Sequence, residues 1–300
     1  MFAPMIPQGE LWRRVDEVTQ RALACGALHS IPTDATELED SGVRFLVRVV
    51  ANLARKPSAG ASPSGPPRNP FLPYDEDLFV GALSDSHVAL LNKFNVVERH
   101  LLMVTRSFVA QETELALADF EAARRVLREA PALVFYNSGA EAGASQPHRH
   151  LQAVPLPLFP GMRSAFPLAA TYEAAVIAAQ SNNSERSPLC RGTAPFEHRV
   201  SGLRVFEVSA PEWAAAALAA YQGALGELKL KRASSTPKPY NLLLTRELMV
   251  VVPRGREHFS GISLNALGFA GALLVRDEAL LRAVQQHGPL SILQHVTQAE

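Results

Sequence analysis

Cysteine is scarce: Cys25 and Cys190 are the only two in 300 residues. Such a pair makes neither a disulfide framework nor a paired-cysteine metal site, and plain thiols fit a reducing compartment. An excess of charge of either sign is also missing, since 29 Lys and Arg balance 29 Asp and Glu. Bulk electrostatics therefore offers nothing to nucleic acid, and a polyanionic ligand would have to be held by donors placed locally. No apolar run approaches the length of a membrane span. The N-terminal stretch MFAPMIPQGELWRRVDE has no basic segment followed by a long apolar one, so no secretory leader is read there. These absences point to a soluble, cytoplasmic chain with no membrane and no nucleic-acid partner. Tryptophan occurs only at Trp12 and Trp213, both on helical segments and both read as packing residues.

Apolar residues make up 47% of the chain, enough for a sizeable core. Leu11, Val15, Val18 and Ala22 fall on one face and predict a helix over 10–24. A β-branched apolar run predicts a strand over 43–50. KPSAGASPSGPPRNP, residues 56–70, reads as a loop by its Pro, Gly and Ser content; Lys56 and Asn69 at its ends are candidates to close over an anion. Strands are expected over 87–94, 100–106 and 132–137, with a helix over 114–129 between the last two. A Gly-rich turn over 137–147 leads into a strand over 148–156. Residues 181–199 read as loop, 203–208 as strand, and 211–230 as a helix with Pro211 in its first turn. NLLLTRELMVVVPR, residues 241–254, has a hairpin pattern. Ser263 is the expected cap of a last helix running to about 286, with Gly288 beyond it. Strands and helices mix without strict β-α-β alternation. That predicts an α+β fold with a mostly antiparallel sheet flanked by helices, as one domain spanning 1–300.

The chemistry concentrates in Gly143-Ala-Ser-Gln-Pro-His148-Arg-His150-Leu-Gln152. Alternation along a strand puts His148, His150 and Gln152 on one face and Arg149 and Leu151 on the other. A neutral imidazole can attack phosphorus and form a covalent intermediate, once a bond at its other ring nitrogen fixes the tautomer. Gln152 can donate to a phosphate oxygen without carrying charge. The preceding turn can expose backbone N–H groups to a phosphate, and Ser145 and Gln146 add side-chain donors. The spacing alone leaves alternatives open. Paired histidines can ligate zinc, although a closed site needs more ligands and no cysteine is near in sequence. They can also be structural surface residues. Lys93 reads on base rates as a surface charge. His100, His198 and His258 have no supporting motif and read as ordinary.

HRHLQ, preceded by FYNSGAEAGASQP, resembles the active-site signature of the histidine-triad superfamily. It is most similar to the diadenosine tetraphosphate phosphorylase (ATP adenylyltransferase) branch, which carries Gln where triad hydrolases carry a third His. Similar blocks continue in order through 30–57, 69–78, 90–108 and 240–275, the last completing the family's C-terminal block. The resemblance implies a histidine-triad-like fold and a nucleophile at the second histidine, His150, assisted by His148 and Gln152. It implies a nucleotide-phosphate loop from Asn137 and Gly143, Ala144, Ser145 and Gln146. More loosely, it implies substrate contacts from Lys56, Asn92, Lys93, Asn241 and Arg254. Glu98 departs from the family, which usually has proline after the Asn-Val-Val of 95–97.

The implied reaction is a double displacement on dinucleoside polyphosphates, with ATP, ADP and phosphate as the other small-molecule partners. The implied magnesium arrives with the substrate; no protein-bound metal is expected. Two rivals remain at this stage: a hexose-1-phosphate uridylyltransferase, which shares the His-x-His-x-Gln row, and a nucleotide-binding sensor without catalysis.

Overall fold

Short apolar runs rich in Val and Leu become strands buried on both faces. The computed structural model describes residues 4–50, 69–162, 164–181, 189–203, 209–233 and 236–298. Its strands are β1 Thr33–Asp40, β2 Val43–Val50, β3 Phe79–Ala82, β4 His87–Leu91, β5 Leu101–Thr105, β6 Ala132–Asn137, β7 His150–Pro155, β8 Leu189–Cys190, β9 Arg199–Gly202, β10 Tyr240–Leu244, β11 Leu248–Pro253, β12 His258–Phe259, β13 Ile262–Ser263 and β14 Ala272–Val275. Its helices are α1 Leu11–Ala24, α2 Leu117–Glu129, α3 Ala169–Ser181, α4 Ala210–Glu227, α5 Ala266–Ala270, α6 Glu278–His287 and α7 Pro289–Thr297.

Nine strands form the main sheet in the order β3-β4-β5-β7-β6-β10-β11-β9-β8. Every neighbouring pair in it is antiparallel. A smaller sheet, β1-β2-β14, contains the parallel pair β2–β14. Alternation sorts the side chains of the main sheet between two cores. On one face Met103, Tyr136, Leu151 and Leu242 pack under α1, α2 and α4, through Val15, Phe120 and Trp213. On the other face Phe135, Val154, Leu243 and Val250 pack under α3, α5–α7 and the small sheet. That second cover stops short of the β3–β5 end, where Phe71, flanked by Tyr74 and Phe79, caps Val88, Leu90, Leu102 and Val104 in a satellite cluster. The uncovered ground between the two clusters lies over β5, β7 and β6.

Several expectations need correction. The last helix is broken: Gly271 in the left-handed region (φ +94°) ends α5, and Asn265 rather than Ser263 caps it. Leu273 and Val275 then enter the core as β14, paired in parallel with β2, before Asp277 caps α6. Tertiary pairing thus overrides a helical pattern. The 181–199 stretch is not loop throughout, because β8 and the start of β9 edge the sheet there. Strand β7 starts at His150; His148 makes only an isolated bridge to Ala110. Residues 204–208 of the expected strand and most of the 56–70 loop, Lys56 included, lie outside the described residues. No described helix is long and apolar enough to cross a membrane.

Candidate active site

The uncovered ground opens into a cavity of about 1100 Å3, larger than most small-molecule pockets, which span roughly 300–1,000 Å3. His150 and Gln152 line its floor from β7, Asn137 from β6, and Gly143 to Gln146 from the turn after β6. Asn92 and Lys93 line it from the end of β4. Arg48, on the pocket side of the small sheet, carries a half-buried guanidinium whose charge burial disfavours.

His150 is buried, at 4% exposure, and its ring is oriented by its own strand. Nδ1 lies 2.8 Å from the carbonyl oxygen of His148. A carbonyl only accepts, so Nδ1 carries the proton and Nε2 keeps a bare lone pair. Burial pushes the imidazole down to about 4 from an ordinary value of 6.5, so the ring is neutral at neutral pH. Gln111 holds the backbone on both sides: the His150 N–H donates to Gln111 Oε1 (2.8 Å), and Gln111 Nε2 donates to the carbonyls of Asn137 (2.8 Å) and His150 (3.2 Å).

His148 does not line the cavity. Its Nε2 lies 2.9 Å from the Thr105 carbonyl oxygen, to which it donates. Its Nδ1 accepts from Asn69 Nδ2 at 2.9 Å. Both nitrogens of His148 are thus committed, and its ring is packed edge-on by Phe71 and Phe108. Asn69, expected to meet an anion, is spent on this bond. Through its carbonyl, His148 sets the tautomer of His150.

Arg149 points to the opposite face, as alternation requires. Its guanidinium donates to Asp119 Oδ2 at 3.0 Å and to the Thr113 and Glu114 carbonyls at 2.9 and 2.7 Å. Asp119 also accepts from the Ala116 N–H (2.7 Å) and faces His87 Nε2 at 3.1 Å. This buried pair bolts the histidine segment to α2.

The Gly-rich turn differs from expectation in which donors it offers. Gly143, at φ +87°, and Ala144 spend their N–H groups on the carbonyls of Ala140 and Gly139. Ser145 and Gln146 have no hydrogen-bond partner among the described residues and remain for a ligand. A side chain at Gly143 would meet the Leu264 carbonyl at 2.6 Å. Asn241 and Arg254 stand behind the cavity wall and do not line it. Arg254 Nη1 donates to Asn241 Oδ1 (2.6 Å) and the Leu264 carbonyl (3.0 Å), and Asn241 Nδ2 donates to Asn137 Oδ1 and the Ala142 carbonyl, both at 2.8 Å. Lys93 is half-exposed and faces Asp75 at 3.5 Å.

His100, set aside as ordinary from the sequence, belongs to the site. It lines the cavity and bonds Gln152 Oε1 through Nε2 at 2.9 Å. Burial pushes it, too, down to about 4. Gln111 was likewise missed. Neither carries a local signal, because their partners lie 52 and 39 residues away in sequence. Among the described residues no group of three or more His, Cys, Asp or Glu is gathered to hold a metal ion.

A neutral imidazole with a bare nitrogen, set among amide donors on the floor of a large cavity, is equipped to accept a phosphorus-centred group. Fold and site together define the class: an enzyme of nucleotidyl transfer. Residues 2–174 match the Ap4A phosphorylase N-terminal domain and residues 192–299 the ATP adenylyltransferase C-terminal domain. With more than half its length matched by the first alone, the chain belongs to the Ap4A phosphorylase family. Among its relatives is diadenosine 5',5'''-P1,P4-tetraphosphate phosphorylase 2 of Saccharomyces cerevisiae, 29% identical over 289 residues that cover 85% of this chain and 84% of that one. Protein APA1 of the same yeast is 28% identical over 291 residues, 87% of this chain and 85% of its own. The crystal structure of yeast Ap4A phosphorylase Apa2 in complex with Ap4A shares the fold, with a TM-score of 0.77 at 24% identity over 98% of both chains. The two matched segments meet within one continuous sheet, since β6 of the first pairs with β10 of the second.

Proposed function

We propose that this chain splits dinucleoside tetraphosphates with inorganic phosphate, by a double displacement through His150. The observation that carries the reading is the fixed tautomer of a buried, neutral His150 with Nε2 bare. In the first step Nε2 attacks the α-phosphorus. A P–N bond forms, the P–O bond to the bridging oxygen breaks, and ATP leaves with that oxygen. In the second step an oxygen of inorganic phosphate attacks the nucleotidyl-histidine, the P–N bond breaks, and ADP leaves. Gln152 donates to a non-bridging oxygen through both displacements, and Ser145, Gln146 and Asn137 hold the neighbouring phosphates. Asn92 and Lys93 contact the substrate at the cavity rim, with Lys56 as a further cation. His148 acts through its carbonyl, and Asn241 and Arg254 act from behind the wall. Magnesium enters with the polyphosphate as part of the substrate.

The test is incubation with diadenosine tetraphosphate, with and without phosphate, followed by separation of the products. ATP and ADP formed only in the presence of phosphate support the reading. AMP at an unchanged rate without phosphate would make the chain a hydrolase. A trapped nucleotidyl-protein should carry its adduct on residue 150, and folded His150→Ala should lose several orders of magnitude in turnover.

A further inference from the structure

Two cavity amides are held by hydrogen-bond relays of fixed polarity. The first begins at a guanidinium, which only donates. Arg254 Nη1 donates to Asn241 Oδ1, so Asn241 must present Nδ2 to Asn137, at 2.6 and 2.8 Å. Asn137 Oδ1 therefore accepts, and it accepts again from the Ala266 N–H at 2.9 Å. Its oxygen is doubly taken, and its NH2 group has no partner among the described residues. The second relay begins at a backbone N–H. Phe94 N donates to Asn92 Oδ1 at 3.4 Å, which turns Asn92 Nδ2 to His100 Nδ1 at 3.1 Å. His100 Nδ1 then accepts, so the proton sits on Nε2, which donates to Gln152 Oε1 at 2.9 Å. Gln152, too, has its oxygen taken and its NH2 group unpartnered among the described residues.

Both amides flank the nucleophile. Gln152 is two residues along β7 from His150. Phe135 pairs with Gln152, so two further steps carry Asn137 level with His150. Gln111 Nε2, bonded to the carbonyls of both Asn137 and His150, confirms the adjacency.

We infer that these relays lock Asn137 and Gln152 with their N–H groups toward the nucleophile, so that the site selects an anionic oxygen acceptor over water. This rests on the reading of His150 as nucleophile. A water molecule attacking the nucleotidyl-histidine must lose a proton and gains from a nearby acceptor. Here both amide oxygens that could serve are already taken, that of Asn137 by Asn241 and the Ala266 N–H behind the wall and that of Gln152 by His100 within the lining. A phosphate oxygen arrives already charged and needs only donors, which charge-assisted hydrogen bonds reward. His100 and Arg254 are in this sense positioning residues for acceptor choice.

The test compares wild type with His100→Phe, which abolishes the lock on Gln152, and His100→Gln, which keeps an N–H donor near the Nε2 position. The readouts are the KM for inorganic phosphate and the ratio of AMP to ADP formed from the nucleotidyl-enzyme. His100→Phe is expected to raise both about tenfold, while His100→Gln stays within about threefold of wild type. Nitrogen NMR of the wild-type imidazoles supplies a measurement independent of any variant, with His100 expected as the neutral Nε2–H tautomer. A folded His100→Phe protein with unchanged phosphate KM and product ratio would overturn the inference, as would His100 found as the Nδ1–H tautomer. If His100→Phe does not fold, the tautomer measurement decides. Absence of phosphate-dependent splitting in wild type would instead reject the function proposed above.

Discussion

The buried state of His150 makes a sharp statement about pH. The proposed nucleophile must be neutral, and burial moves its midpoint from 6.5 to about 4. At about pH 5.5 a midpoint near 4 leaves about 97% of the ring neutral, whereas an unperturbed ring would be only about 9% neutral. Single-turnover release of ATP from diadenosine tetraphosphate isolates this ionisation, because the substrate has no terminal phosphate to titrate near neutrality. Its rate should therefore fall by less than about twofold between about pH 7.5 and 5.5, against an expected fall of about tenfold for an ordinary histidine. The assay stays interpretable only while the fold survives, and linkage bounds that. His100 and His150 both have folded midpoints below their unfolded ones. Protons therefore bind the unfolded chain more readily, and the stability present above about 6.5 is lost as pH falls toward 4. Each histidine withdraws about 1 kcal/mol at about pH 5.5 and about 3 kcal/mol by about pH 4. A domain with a stability of roughly 5–15 kcal/mol tolerates the first condition. His148 and His198 shift in the same direction and steepen the loss. A half-maximal rate near pH 6.5, with circular dichroism showing an intact fold, would refute the argument.

Asp119→Ala should destabilise the fold by about 3–5 kcal/mol in urea unfolding, because it leaves the Arg149 guanidinium buried without its carboxylate; a cost under about 1 kcal/mol would mean that the pair does not anchor the strand. Gln111→Leu should lower kcat by about 10–100-fold with little change in KM, since it frees the His150 backbone without touching the cavity lining; an effect confined to KM would contradict that role. Gly143→Ala should cost about 1–3 kcal/mol, from a strained φ of +87° and a Cβ 2.6 Å from a carbonyl oxygen. A thermal melt equal to wild type would show that the turn relaxes freely.

Sequence pattern made the main elements legible where a local rule decides them. Helix α1 carries its four buried residues where the periodicity places them, and the 241–254 hairpin pairs as β10 and β11. Strand alternation places His150 and Gln152 on one face, and both line the cavity, whereas His148, expected beside them, lies before β7 and does not. Three kinds of fact were not legible. The broken last helix depends on β14 finding a parallel partner in β2, more than two hundred residues earlier. His100 and Gln111 act through side chains distant in sequence, so no spacing betrays them. Asn241 and Arg254 are visible as polar residues in apolar company, but only coordinates place them behind the wall and not on it.

That placement explains how the C-terminal segment shapes a site whose proposed nucleophile lies on β7. The floor and the histidine come from strands of the first matched segment. The turn over them is shaped from the second: Arg254 grips the Leu264 carbonyl, against which Gly143 packs, and the carbonyls of Arg256 and Glu257 at 2.8 and 3.2 Å. Its guanidinium is buried against Phe269, with no salt-bridged carboxylate among the described residues, and burial pushes it down to about 10. It stays charged at neutral pH and serves as a rigid fork that only donates. With the guanidinium on its oxygen and the Ala142 carbonyl on its Nδ2, Asn241 has one orientation, and Asn137 Oδ1, which accepts from both Asn241 and the Ala266 N–H, has one as well. The charge that supports this polarity thus stands behind the cavity wall and does not line it.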